Sequence, residues 1–244
     1  MGVTGSEVTL LPVAILAGGL ATRLRPLSEK IPKSLIEVNG EPFVAHQLRL
    51  LRAHCILRVV LCVGHLGELV QQEIGDGRAW RIQVEYSFDG AVPLGTAGAI
   101  RQALPRLGEE FFVLYGDSYL ACDYGAVVQA FTAAGKLALM TVFRNDGKWD
   151  SSNVEFHQGR IVAYSKKDRN PRMHYIDYGL GVFRAEAFAS LAPGQAYDLA
   201  ELYRDLLRSG QLAGFEVSQR FYEIGTPAGL KETEEFLKAR PATI

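Results

Sequence analysis

Cysteine is scarce in this 244-residue chain: Cys55, Cys62 and Cys122 are widely spaced, and no Cys-x-x-Cys pair occurs. Three scattered thiols make no disulfide framework, and their odd number fits reduced, buried side chains in a cytoplasmic protein. An excess of either charge is also missing. Lys and Arg number 26 and Asp and Glu 27, a formal net charge of −1, which gives no electrostatic grip on nucleic acid or an anionic membrane. No run approaches the ~20 apolar residues that span a bilayer. The start, Met1-Gly-Val-Thr-Gly-Ser-Glu7, lacks a basic n-region and an apolar h-region, so it reads as a short flexible lead-in and not as a signal peptide. His46, His54, His65, His157 and His174 have no metal-ligand spacing, and no Gly-x-Ser-x-Gly elbow offers a nucleophile. Two common phosphate-binding signatures fail as well. The run from Gly18 reads G-G-L-A-T-R and not G-x-G-x-x-G, and no Gly-Lys-Ser/Thr follows it.

What remains is ample for a folded core, since 48% of residues are hydrophobic. The first half alternates strand and helix signals: strands over Val13–Ala17, Ile56–Val63, Ile82–Tyr86, Phe111–Tyr115 and Leu137–Phe143, helices over Phe43–Ala53, Leu66–Ile74, Thr96–Leu104 and Tyr124–Ala134. That βα rhythm predicts an α/β fold with a doubly wound, mostly parallel sheet. After Arg144 the pattern changes. Asn153–Phe156 and Ile161–Tyr164 flank a hairpin turn at His157-Gln-Gly-Arg160. A strand over Tyr175–Phe183, helices over Glu186–Leu191 and Leu199–Ser209, a strand over Gly214–Val217 and a helix over Ala228–Ala239 follow. No Pro/Ser-rich linker interrupts the chain, so one domain is expected, with a phosphate-handling half over about 12–144 and a substrate-handling half with a smaller mixed β region over about 145–240.

The most informative string leaves the first strand: Leu16-Ala-Gly-Gly-Leu-Ala-Thr-Arg-Leu-Arg-Pro26, followed by Ile31-Pro-Lys-Ser-Leu35. A Gly pair there lets backbone N–H groups approach a phosphate with no Cβ in the way. Arg23 and Lys33 add positive charge nearby. Such a loop suits a chain that handles a nucleoside triphosphate. The string resembles, without a gap, the signature L-A-G-G-x-[AG]-T-R-L-x-P and P-K-x-L of the sugar-1-phosphate nucleotidylyltransferases, or NDP-sugar pyrophosphorylases. The resemblance implies a Rossmann-like nucleotidylyltransferase fold and nucleotide contacts from Leu16, Ala17, Gly18, Gly19, Thr22 and Arg23.

Further elements extend the resemblance from about Val13 to Phe236. Tyr115-Gly-Asp-Ser118 follows a buried strand, where open α/β sheets place their ligands. The family carries Gly-Asp there to hold Mg²⁺, which implies a metal ligand at Asp117; an Asp in this setting also caps turns. Phe221-Tyr-Glu-Ile-Gly-Thr-Pro227 resembles the family's D-[IV]-G-T-P with Glu223 one methylene longer, either as a second Mg²⁺ ligand or as a cap on the helix after Thr226. Pro93-Leu-Gly-Thr-Ala-Gly98 resembles L-G-T-[AG]-x-A, whose Gly and Thr lie against the nucleoside; Gly95 and Thr96 carry that role here, and Thr96 is also a good N-cap. Tyr164-Ser-Lys-Lys167 resembles F-x-E-K, which aligns Lys167 with the lysine on the sugar phosphate and puts Lys166 in place of the Glu. Ile176-Asp-Tyr-Gly-Leu-Gly181 resembles [IV]-N-A-G-[IL]-Y, with Asp177 for Asn and Gly179 beside the sugar ring. Asn153-Val-Glu155 has Asn in place of the family's first Gly. These departures bear on which sugar is used.

The implied reaction is attack of a sugar 1-phosphate oxygen on the α-phosphorus of an NTP, with pyrophosphate leaving. Arg23 and Lys33 are the catalytic cations, Asn153, Lys167, Asp177 and Gly179 bind the sugar phosphate, and Asp117 with Glu223 holds Mg²⁺. The partners are an NTP and a sugar 1-phosphate; a homo-oligomer is compatible with this pattern. Ending at 244 residues, the chain is expected to lack the C-terminal β-helix of longer members. P-L-G-T-A-G, G-D-S and E-I-G-T-P look most like the heptose-1-phosphate guanylyltransferase group, which favours GTP; uridylyl, thymidylyl and cytidylyl members are close rivals. A metal-dependent glycosyltransferase would show D-x-D where this chain has Asp117-Ser-Tyr119. A non-catalytic sensor would have lost Arg23, Lys33 or Asp117.

Overall fold

The computed structural model describes residues 10–19 and 31–239; Thr22 and Arg23 lie outside them. The apolar run before the Gly pair forms β1 (Val13–Leu16). Two short strands, β2 (Glu37–Val38) and β3 (Glu41–Pro42), make a hairpin that leads into α1 (Phe43–Ala53). Then β4 (Arg58–Val63), α2 (Gly67–Ile74), β5 (Gln83–Phe88), α3 (Gly95–Leu107) and β6 (Glu110–Tyr115) alternate as the apolar periodicity predicts. The two-residue β7 (Ser118–Tyr119) precedes α4 (Tyr124–Ala134) and β8 (Ala138–Arg144).

The second half opens with the hairpin of β9 (Val154–His157) and β10 (Arg160–Tyr164). Its loop residues Gln158 and Gly159 both have positive φ, 49° and 77°, the geometry that a two-residue hairpin turn requires. The long strand β11 (Tyr175–Arg184) follows, then α5 (Leu199–Arg208), β12 (Leu212–Val217), β13 (Tyr222–Glu223) and α6 (Pro227–Lys238).

One sheet runs β5-β4-β1-β6-β11-β8-β12, with β9 and β10 attached at the start of β11. Its first-half pairs, β1–β4, β1–β6 and β4–β5, are all parallel. The turn to mixed pairing comes at β11, antiparallel to both β6 and β8. Alternate side chains feed two cores. Val13, Ile15, Val59, Leu61, Phe112 and Leu114 face α1, α2 and α4, whereas Ala14, Val60, Cys62, Phe111 and Val113 face α3 and α5. Both faces of the central strands are therefore covered, which is why they read as unbroken apolar runs. α6 packs apart from these, with Phe236 against Tyr119 and Tyr222.

Most element bounds shift by one or two residues from the sequence expectation, and two ends shift by three. α3 passes Pro105 and runs to Leu107, because Leu107 is fully buried in the core and Pro105 sits in the last turn, where few hydrogen bonds remain to be lost. The helix expected over Glu186–Leu191 is one 3₁₀ turn, Ala185–Phe188. A single turn already delivers Ala187 and Phe188 to the core. Among the described residues no helix is long and apolar enough to cross a membrane.

Candidate functional site

β1 lies between β4 and β6, so connections leave it to opposite sides and a crevice opens at the carboxyl edge. Open α/β sheets bind ligands at such a point. Three backbones meet there. A Cβ on Gly18 would come within 3.1 Å of the Gly64 nitrogen, which follows β4. A Cβ on Gly116 would come within 2.5 Å of the Leu16 carbonyl oxygen, to which the Gly116 N–H donates at 3.1 Å. Glycine at 116 thus lets the loop after β6 press against the end of β1. Gln47 of α1, itself buried, fixes the other side of that loop: its Nε2 donates to the Tyr115 and Ser118 carbonyl oxygens at 3.2 and 2.9 Å. Asp117 is presented from this clamped turn.

The ladder between β7 and β13 brings Glu223 to the same place. Ser118 pairs with Glu223, and the Ile224 N–H donates to the Asp117 carbonyl oxygen at 2.9 Å. Lys33, from a 3₁₀ turn over Lys33–Leu35, completes the group; its Nζ lies 2.6 Å from Asp117 Oδ2. The Glu223 carboxylate turns back on its own loop, accepting from the Gly225 N–H and the Thr226 hydroxyl. A Cβ at Gly225 or Gly229 would collide with its oxygens. The two glycines thus make room for a Glu that is one methylene longer than an Asp. Burial first, and the Asp117 charge beside it, push the Glu223 carboxyl above its usual range, against the Gly225 N–H and Lys33. Two carboxylates close enough to repel, with one lysine between them, fit a divalent cation that takes the rest of its shell from phosphate oxygens and water. Among the described residues no group of three or more His, Cys, Asp or Glu is placed to hold a metal.

A cavity of about 670 Å³ extends from these three residues along β11 to Asn153, Lys166, Asp177 and Gly179. Gly179, at φ +93°, lies in an irregular stretch of β11 between Asp177 and Gly181, where a Cβ would press on the Tyr115 ring at 3.1 Å. The Asn153 side-chain oxygen accepts from the Asp177 N–H at 2.9 Å and so fixes the backbone there. The Asp177 carboxylate accepts from the Gly179 N–H at 3.1 Å and the Tyr164 hydroxyl at 3.3 Å. Burial raises its pKa, with Lys166 as the largest opposing influence. Lys166 Nζ sits 5.3 Å from the centre of the Tyr115 ring. At the cavity's outer rim, Arg220 is held between Trp149 and Tyr222, at 4.7 and 4.8 Å, and pairs with Glu232 of α6.

The structure therefore brings together Lys33, Asp117, Glu223, Asn153, Asp177 and Gly179 around one cavity. Leu16, Ala17, Gly18 and Gly19 border the adjoining crevice, where the Ala17 N–H donates to the Cys62 carbonyl at 2.9 Å. Gly95 and Thr96 begin α3 and are tied to the segment before α5. Gly95, at φ +68°, abuts the Tyr197 carbonyl, and the Leu199 N–H donates to the Thr96 hydroxyl at 2.7 Å. Lys167 is not among the residues that line the cavity; Lys166 is. The Ser165 hydroxyl accepts from the backbone N–H groups of Lys167 and Asp168, at 3.2 and 2.8 Å, and this turn carries Lys167 toward Glu201 of α5. Sequence reasoning also missed Gln47 and Arg220, whose partners lie far along the chain, and Gly229, whose part is the room it leaves for the Glu223 carboxylate.

Comparison with known proteins agrees with this geometry. The profile of the nucleotidyl transferase family matches residues 13–240. An N-acetylmuramate alpha-1-phosphate uridylyltransferase of Neisseria meningitidis is 31% identical over 236 residues, covering 90% of this chain and 95% of that protein. A D-glycero-alpha-D-manno-heptose 1-phosphate guanylyltransferase of Campylobacter jejuni is 26% identical and covers 87% and 94%. Among solved structures, a Bacillus anthracis protein assigned as a glucose-1-phosphate thymidylyltransferase superposes with a TM-score of 0.84 at 21% identity, over 96% of this chain and 98% of that one.

Proposed function

The chain belongs to the nucleotidyl transferase family, among the sugar-1-phosphate nucleotidyltransferases, and we propose that it transfers a guanylyl group from GTP to a mannose-like or heptose-like sugar 1-phosphate. One observation carries the mechanism: Lys33, Asp117 and Glu223 converge beside the glycine-rich crevice, at the mouth of a cavity lined further out by Asn153, Lys166, Asp177 and Gly179. A sugar-phosphate oxygen bonds to the α-phosphorus as the bond to the bridging oxygen of the β-phosphate breaks, and pyrophosphate leaves on the opposite side. The protein does no covalent work. It aligns two anions and meets charge that shifts onto the leaving group.

Asp117 and Glu223 hold Mg²⁺ in this reading, and the ion supplies neutralisation of phosphate charge when bound. Lys33 holds its ammonium where the α-phosphate passes, and Arg23 of the glycine-rich string meets the departing pyrophosphate. Gly18 and Gly19 let that string approach the phosphates, while Gly95 and Thr96 set the start of α3 against the nucleoside. Asn153 and Gly179 shape the sugar pocket, and Asp177 offers a hydroxyl acceptor.

The lysine on the sugar phosphate is Lys166 and not Lys167, because Lys166 faces the cavity. Lys166→Ala raises KM for the sugar 1-phosphate by roughly ten- to a hundredfold, the scale of a lost charged contact, with little change in KM for the NTP. Lys167→Ala leaves both constants close to wild type. The reverse pattern in steady-state kinetics returns the role to Lys167.

The guanylyl preference draws on the heptose relative, which covers nearly its whole length, and on the P-L-G-T-A-G, G-D-S and E-I-G-T-P strings. Turnover with GTP, UTP, dTTP and CTP, against mannose and heptose 1-phosphates with pyrophosphate as readout, tests it. GTP gives the highest kcat/KM. A higher value with UTP, the nucleotide of the 31% identical relative, overturns the base assignment and leaves the transfer class standing.

A further inference from the structure

The far end of the cavity is built from the loop after β8, residues 145–152, and from the segment that enters β13. Asn145 is fully buried and holds the loop. Its Nδ2 donates to the Asp150 carbonyl oxygen at 2.5 Å and to the Ser152 hydroxyl at 3.2 Å, and its Oδ1 accepts from the Trp149 N–H at 3.4 Å. Trp149 is thereby set in the cavity wall, 41% exposed. Arg220 lines the wall beside it, held between the Trp149 and Tyr222 rings. Its Nη2 pairs with Glu232, and Nη1 has no partner among the described residues. Arg220 precedes Glu223 by three residues, so the far end lies within about 11 Å of backbone from the carboxylates at the mouth.

We propose that this end binds a neutral, hydroxyl-bearing extension of the sugar, the C6–C7 diol of a heptose, with Arg220 donating to its oxygens and Trp149 against its carbon chain. The inference rests on the nucleotidyl-transfer reading and adds to it the residues that separate a heptose from mannose, which ends at C6. Two cations, Arg220 and Lys148, are matched here by two carboxylates, Glu232 and Asp150, and all four line the cavity. No net charge is left to draw an anion. Donors and acceptors side by side suit hydroxyl groups, which do both. The exposed Trp149 ring offers apolar surface to a carbon chain. A guanidinium stacked between rings is fixed in its plane and presents its N–H groups along an edge. Neighbouring hydroxyl oxygens of a diol match that edge, and a single C6 hydroxyl does not reach as far along it.

Calorimetric titration of the wild type, Arg220→Met and Trp149→Ala with a manno-heptose 1-phosphate and with mannose 1-phosphate, in the presence of Mg²⁺, tests this. The two sugars differ only by the extra carbon and its hydroxyl. The wild type binds the heptose 1-phosphate about 10- to 100-fold tighter, the scale of hydrogen bonds from a charged donor. In Arg220→Met, which keeps the stem between the rings and loses the donors, the two affinities come within about twofold of each other. Glu232 is half-exposed and tolerates the loss of its partner, and an unchanged thermal midpoint verifies that the variant folds. Trp149→Ala, at an exposed ring, lowers the preference by about two- to tenfold and provides the same readout without removing a charge. Equal affinities in the wild type, or a preference that the folded variants leave unchanged because both sugars weaken alike, overturn the assignment and leave nucleotidyl transfer intact. A wild type that binds neither sugar 1-phosphate overturns both.

Discussion

Asp117→Ala loses at least about a hundredfold in kcat at saturating Mg²⁺, because several kcal/mol of charge stabilisation on a transferring phosphoryl group goes with it. Its folding is expected to survive. The turn that presents Asp117 is held by Gln47, by Gly116 against β1 and by the Ile224 N–H on a backbone oxygen, none of which needs the carboxylate. Its one short ion pair, to Lys33, is only partly shielded from solvent, and such pairs add little to stability. Asp117→Asn separates charge from shape: the amide fills the same space and is expected to be nearly as slow. Steady-state pyrophosphate release across a Mg²⁺ titration, alongside a thermal melt, checks both points. A variant that keeps more than about a tenth of wild-type kcat, a deficit under about 1.4 kcal/mol, returns Asp117 to a turn cap.

Lys33→Ala is the second large effect, with kcat reduced by about 10²- to 10³-fold, the scale seen when a preorganised donor to a developing anion is removed. KM for the sugar 1-phosphate changes less, since Lys33 stands at the nucleotide end of the cavity. The substitution also removes the Lys33 charge that holds the Glu223 carboxyl down against its burial and the Asp117 charge, so the Glu223 pKa rises further. The activity that remains therefore declines at a higher pH on the acid side than in the wild type, because a raised carboxyl pKa means the charged form is lost sooner as pH falls. A pH–rate profile of Lys33→Ala alongside wild type reads this. Unchanged kcat would make Lys33 a surface charge.

The parallel half of the fold was legible because β1, β4 and β6 are covered on both faces and so read as apolar runs, and because α1 and α4 carry complete periodic stripes between clear boundaries. Lys33, Asp117 and Gly179 stand in motif strings that the sequence displays, although only Asp117 follows a strand end; Gly179 lies within β11 and Lys33 in a 3₁₀ turn. The pairing of Asp117 with Glu223 was visible only through the resemblance, since the β7–β13 ladder that makes it joins two-residue strands with no periodicity of their own. That Lys166 and not Lys167 lines the cavity has a local reason. β10 ends at Tyr164, so strand alternation stops there, and the Ser165 turn decides which lysine faces inward. Gly225 and Gly229 carry a signal that is readable only afterwards: two glycines that follow shortly after a Glu standing where the family has an Asp.

Phosphorus NMR of the complete reaction is the most direct measurement. The wild-type protein is incubated with Mg²⁺, each of the four NTPs in turn, and a panel of hexose and heptose 1-phosphates. Transfer of a nucleotidyl group predicts paired resonances of a sugar-nucleotide diphosphate and one equivalent of pyrophosphate, with GTP as the productive donor. Appearance of free nucleoside diphosphate, or the absence of pyrophosphate in every combination, would contradict it.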